Sequence, residues 1–366
     1  MSRWFGRKGG NDDEKYDSWI MSEVAFVIVS ASPSTGLTRS PVSHQMSGGT
    51  ETQAKKRDFS WLAVLWYIHL HALGLYGMFL VFTQAKWMTV IFLVLMIFVS
   101  NLGMTIGAHR LWAHRSFEAQ GPIRLFLMLT QTLAGVGSIY DWVLAHRIHH
   151  EYYGTEKDPY NHDKGFLYSH LFSNLVTTHP QQEELVKSID MRDVELDGYV
   201  TFQRLFYWPL FIVIGLLLPM NAPVEYWGES LLNAFFILGF LRLAIAAQLA
   251  WLINSAMLIW GLKFPADDNS VFIVTKSYWL NYHYLLSWDY KSGEFGSYDS
   301  GCTLLILDLL ASLNWVSLRT TPSSQSIRDA LYSVATNKNL TIDEALDDVK
   351  KIAKIDALTL KLTYRH

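Results

Sequence analysis

The sequence holds a single cysteine, Cys302, which excludes an intrachain disulfide and fits a reducing, cytosolic face. Net charge is only −3, so no field of one sign marks nucleic acid as a partner. The opening stretch Met1–Ile20 has no apolar core, so no secretory signal is expected and membrane insertion falls to internal segments. Charge itself is missing over long distances: no Asp, Glu, Lys or Arg occurs from Phe59 to Ala85, nor from Trp87 to His109. No internal repeat is visible either.

What is present is apolar. Half of the residues are hydrophobic and 14% are aromatic, more than a soluble domain usually carries. Besides the two charge-free runs, Leu205–Asn221 forms a third apolar run, and Leu231–Leu262 a fourth broken only by Arg242. A hydrocarbon core takes roughly 20 helical residues, so spans are expected near 60–83, 88–108, 205–221 and 231–256. The third is the shortest, with Tyr207 and Trp208 as interfacial anchors. Lys55, Lys56 and Arg57 precede the first span, and Arg110, Arg115, Arg124, Arg147 and Arg204 fall between the second and third. The two short links carry little or no positive charge. The positive-inside bias therefore puts both termini and the 109–203 segment in the cytosol.

Outside the spans, residues 1–58 are rich in Ser, Thr, Gly and charge and read as a disordered cytosolic tail. The apolar stretch 122–145 contains Arg124 and Asp141 and reads as a helix lying in or near the interface. Residues 181–200 are polar and acidic. Leucines at helical spacing follow Trp288, and residues 338–366 form a charged helical tail in which Thr341 is the expected N-cap.

Histidines carry the chemistry. His109 and His114 stand in HRLWAH, and His146, His149 and His150 in HRIHH. Imidazole is a good neutral donor for iron, zinc or copper. The i, i+3, i+4 spacing puts the second group on one helical face. His109 and His114, about 500° apart on an α-helix, converge only if the helix ends or bends between them. A later segment, LNYHY, keeps only His283 where a third cluster is expected.

GMTIGAHRLWAHRSF at 103–117, IYDWVLAHRIHHEYY at 139–153, DPYNHDKGFLYSHL at 158–171, WLINSA at 251–256 and NYHY with WDYK at 281–291 resemble the membrane acyl-CoA desaturases. The likeness is to the stearoyl-CoA Δ9 type and its insect relatives, and runs from about Trp61 to Asn337. It implies an all-α integral membrane protein: four transmembrane helices, a cytosolic helical cap with a histidine-rich metal site, and a desaturase domain over 59–337. It further implies an endoplasmic-reticulum, multi-pass location and removal of two hydrogens from an acyl-CoA by O2. Electrons would come from cytochrome b5 and its NADH-dependent reductase; the sequence holds no HPGG haem motif of its own. Acyl-CoA or another acyl lipid and membrane lipid are the expected ligands, and nucleic acid is not.

Position by position, the resemblance assigns a first iron to His109, His114, His146, His150 and His283. It assigns a second to His149 and positions 258, 280 and 284, with Asn254 acting through water. The last three are Leu258, Leu280 and Tyr284 here, so iron is expected, two by the family pattern and one in this chain. Trp251 matches a residue beside the acyl tunnel. Positive charges expected near the CoA are replaced by Leu144-Ala145 and by Thr177-Thr178 before His179-Pro180. The family reaction is a Δ9-type desaturation. The losses favour a diverged, catalytically silent or weak paralogue with one metal and a lipid tunnel, working in homo- or hetero-oligomers with active desaturases. A His-box lipid hydroxylase is a third reading. A bis-His haem protein is a fourth, and the clustering of histidines outside the spans argues against it.

Overall fold

The computed structural model describes residues 57–153, 155–178, 181–260, 279–295, 298–337 and 339–363. The expected tail up to residue 56 and His179-Pro180 lie outside them. Among the described residues, one compact unit takes 57–260 and 287–320, and a second takes 279–286 and 321–363. Each is described by itself.

The first unit is built on helices long and apolar enough to cross a membrane: α1 (Trp61–Thr83), α2 (Trp87–Ala113), α5 (Tyr207–Trp227) and α6, whose apolar window is Leu231–Ala256. Between them lie α3 (Gly121–Ala134) and α4 (Ile139–Glu151). After α6, this unit adds α8 (Cys302–Ser312), and β1 (Glu118–Ala119) pairs antiparallel with β2 (Val316–Ser317). The span flanks present Leu62, Leu75, Phe82, Val94 and Leu218 outward, as a lipid-facing surface requires. Trp61, Trp87, Trp208 and Tyr226 are exposed at span ends, where aromatic rings anchor to the interface.

Small residues and one buried cation hold the spans together. Gly77 lets α1 meet α6 so closely that a Cβ there would strike the Phe236 carbonyl. Arg242, fully buried in α6, donates to the carbonyls of Leu238 (2.8 Å), Leu133 (2.6 Å) and Gly215, tying α6 to α3 and α5. At the opposite end of α2 from the histidines, Glu229 joins the two short links. It accepts from Lys86 N (2.8 Å), Thr89 Oγ1 (2.6 Å) and Asn233 Nδ2 (2.9 Å).

Two segments differ from the sequence expectation. The 122–145 stretch is not one helix but α3 and α4, bent 83° at residues 135–138. Gly135 and Gly137 adopt positive φ there (72° and 94°), which lets the chain turn so sharply. Buried Gln203 secures the corner, bonding Gln131, Thr132 and the Ile139 N–H, while Tyr207 Oη accepts from Gly137 N. The third span continues to Trp227 instead of stopping near 221, because Pro219 and Pro223 are accommodated within the helix and Gly228, at φ 64°, ends it.

The second unit contains α7 (Trp279–Leu285), α9 (Ser324–Thr336) and α10 (Ile342–Thr363), with α9 packed on α10. Thr341 caps α10 as its sequence suggests. Its Oγ1 accepts from Glu344 N (3.3 Å) and Glu344 reaches back to Thr341 N (3.0 Å), a reciprocal capping box.

Candidate metal centre

The cytosol-facing role expected for the histidines starts from an unusual helix. From Gly103 to Ala113, α2 winds as a π-helix. Its hydrogen bonds run from residue i to i+5, and His114 N donates to His109 O at 3.0 Å. Residues five apart therefore stack on one face. His109 and His114 converge because the helix widens and then ends at Ala113, between them, as their spacing required.

Arg147 then docks the second cluster on the first. Its guanidinium donates to Trp112 O (2.7 Å) and Ala113 O (3.2 Å) at the end of the π-helix and grips Asp193 with both Nη atoms (2.8 and 2.7 Å). Burial pushes the Asp193 carboxyl up, but Arg147 and Arg115 outweigh it and hold the group below its ordinary range. Ser138 caps the start of α4, accepting from Asp141 N.

These supports bring three ring nitrogens together. His114 Nε2 lies 3.1 Å from His109 Nε2 and 2.9 Å from His146 Nε2. Two nitrogens held about 2.1 Å from one metal at a right angle sit about 3.0 Å apart, so the spacing fits adjacent ligands of a first-row ion. The His150 ring stands 4.6 Å from that of His114 and 4.7 Å from that of His146. Each buried imidazole is also oriented from behind. His146 Nδ1 bonds Asn254 Oδ1 (2.7 Å), and His109 Nδ1 bonds Glu294 Oε1 (2.8 Å). These partners fix Nδ1 as the protonated nitrogen and aim the Nε2 lone pairs inward. Glu294 also pairs with Arg110, which donates further to Ser292 O (2.8 Å). Burial raises the Glu294 carboxyl, but Arg110 and His109 together hold it below the ordinary range, so it stays an anion.

His149 points elsewhere. It joins Asp158 and His162 in a second buried group whose ligand atoms lie within 4.8 Å of one another. Burial lowers His162 to about 4, with His149 adding to the effect against Asp158 and the Asn254 carbonyl, so its imidazole is neutral at physiological pH. Tyr153 and Tyr160 flank the group, and burial raises both phenols well above their ordinary value.

Asn254 touches His146 directly. Trp251 is buried against Tyr67 (centroids 4.8 Å, edge-on), His71 and His170. Leu258 is half-buried on α6. His283 and Tyr284 lie on α7 in the second unit, and the Leu280 side chain falls outside the described residues. The sequence reading missed Glu294, Arg147, Asp158 and His162. Arg147 stands in HRIHH, Asp158 and His162 in the DPYNHDKG match and Glu294 just after WDYK, but nothing in those neighbours declares the role of each.

No family model matches the chain. Curated proteins do. It is 40% identical over 277 residues to an acyl-CoA Delta-9 desaturase of Acheta domesticus, covering 74% of this chain and 77% of that protein. An acyl-CoA Delta-12 desaturase of Tribolium castaneum shares 34% over 319 residues, 84% of this chain and 88% of that one. The stearoyl-CoA desaturase of Homo sapiens shares 36% over 272 residues, 72% and 75% respectively. With its apolar spans and converging histidines, this chain belongs to the acyl-CoA desaturase family of multi-pass membrane proteins.

Proposed function

We propose that this chain is a diverged family member that binds an acyl-CoA or related acyl lipid, holds iron at the His109–His114–His146 centre, and desaturates weakly or not at all. The family pattern adds His150 and His283 to the ligand set. The observation that carries it is the contrast between two sets of positions. The Nε2 atoms of His109, His114 and His146 crowd within about a metal's ligand spacing. The positions the family pattern gives to a second iron are Leu258, Leu280 and Tyr284.

A histidine-bound iron pair would supply O2 activation with electrons drawn from cytochrome b5 and its reductase. The chain's own residues hold and orient. Glu294 and Asn254 keep the imidazole protons on Nδ1, Arg147 locks the two histidine helices together, and Trp251 sits among aromatic rings suited to an acyl chain. Two leucines donate no lone pair, so the family's second ligand set is broken. The setting is the endoplasmic reticulum membrane with both termini cytosolic.

Expression in a host lacking its own Δ9 desaturase, followed by fatty-acid profiling, tests the reading. The expected profile holds at most a trace of new monounsaturated acyl chain, too little to support growth. Growth without added unsaturated fat would refute it and restore the plain Δ9-type assignment.

A further inference from the structure

The second histidine group has features that the five-histidine centre does not explain. Asp158 is a carboxylate exposed by only 1%, and His162 is exposed by 6%. Asp158 Oδ1 is occupied: it accepts from Tyr160 N at 2.9 Å and lies 2.8 Å from His149 Nδ1. Asp158 Oδ2 is buried and has no hydrogen-bond partner among the described residues. The same holds for His162 Nδ1. An unpaired carboxylate oxygen and an unpaired ring nitrogen, both out of water, each carry a desolvation cost unless something binds them.

The tautomer of His162 is fixed. Its Nε2 lies 2.8 Å from the carbonyl oxygen of Asn254, which only accepts, so the proton is on Nε2 and Nδ1 presents a lone pair. A ring N–H given to a backbone carbonyl is the usual support for a metal-ligating histidine. Arg57 feels the charge of Asp158, but its guanidinium donates to Pro159 O (2.9 Å) and Thr177 O (2.6 Å). The phenols of Tyr153 and Tyr160 stay protonated and add no charge to the group.

We infer that His149, Asp158 and His162 form a second metal site of this chain's own composition, taking a borderline divalent transition ion, Fe2+ or Zn2+. Two imidazoles and one carboxylate suit either ion. Ligand atoms from the three lie within 4.8 Å of one another, and all three residues are buried. His149 is the residue the family pattern gives to a second iron, while Asp158 and His162 are not in that set. The inference rests on the reading above only in taking the family's second ligand set as broken. Its geometry is independent of the His109 centre.

The test is metal analysis of the full-length protein in detergent, loaded anaerobically with Fe2+ in one arm and with Zn2+ in the other. The variants are His162→Gln, Asp158→Asn and His114→Ala. Gln at 162 keeps a donor for the Asn254 carbonyl, and Asn at 158 keeps the shape. The expected result is a second equivalent in wild-type protein that both His162→Gln and Asp158→Asn lose, while His114→Ala loses the other equivalent. The arm with higher retention names the ion. A single equivalent, unchanged in His162→Gln and lost in His114→Ala, would overturn this inference and leave the reading above standing. Metal unchanged in His114→Ala would overturn that reading instead. Metal-edge X-ray absorption of wild-type protein alone gives an answer if variants fail to fold, since a shell without carboxylate oxygen overturns the site.

Discussion

Glu294→Gln isolates what a buried carboxylate does for the metal centre behind its ligand. Glu294 is about as buried as His109 and Arg110, each only 2% exposed, and its Oε1 meets both. Gln keeps the volume and an oxygen acceptor for the His109 N–H, but removes the negative charge that makes the imidazole a stronger donor. Changes of this kind commonly lower metal affinity by about 10–100-fold, or roughly 1.4–2.8 kcal/mol. Truncation to Ala would cost more and say less, because it also removes the oxygen that His109 and Arg110 share and leaves both buried donors unpaired. The assay is equilibrium competition for Fe2+ against a chromogenic chelator in detergent. Glu229→Gln, at the far end of α2, serves as the control for a carboxylate remote from the metal. An affinity for Glu294→Gln within about threefold of wild type would refute the positioning role.

Other perturbations read other parts of the account. Asn254→Leu frees the His146 imidazole from its 2.7 Å partner, and chelator competition should again register at least about tenfold weaker binding. Gly77→Ala forces a Cβ onto the Phe236 backbone and should lower thermal stability in detergent by about 1–3 kcal/mol. Gly74→Ala, whose Cβ would meet its first neighbour, Ala244 Cβ, only at 3.3 Å, should cost less; equal effects would contradict the close α1–α6 contact. Burial pushes the Glu229 carboxyl up, but bonds from Thr89, Lys86, Asn233 and Ser230 outweigh it and hold the group below its ordinary range. A lowered folded value stabilises above the unfolded range, and that stability drains as pH falls through the folded one. Glu229→Gln should therefore cost about 1–3 kcal/mol at neutral pH and flatten the decline of melting temperature below about pH 5.

The sequence makes the spans legible because a run without charge has few alternatives to lipid, and Arg242 alone interrupts the fourth. The histidine clusters are legible for a similar reason: imidazoles so dense in HRIHH seldom serve packing. The winding between His109 and His114 is not legible, since five-residue spacing looks wrong for an α-helix and nothing local announces a π-helix. The 83° corner is hidden as well. Gly135 and Gly137 permit it, but buried Gln203, far along the chain, fixes it. Long-range polar partners share this property. Glu294 reaches His109 across the sequence, and His162 reaches the Asn254 carbonyl, so neither role can be read from its neighbours.

The central claim is that the convergence of His109, His114 and His146 is a metal centre. X-ray absorption at the iron edge, on purified protein and on His146→Ala, tests it most directly. The account predicts bound iron in wild type with imidazole nitrogen in its shell, and loss of that imidazole-rich signal in the variant. Folded wild-type protein that takes up no metal, or an unchanged spectrum in His146→Ala, would contradict it.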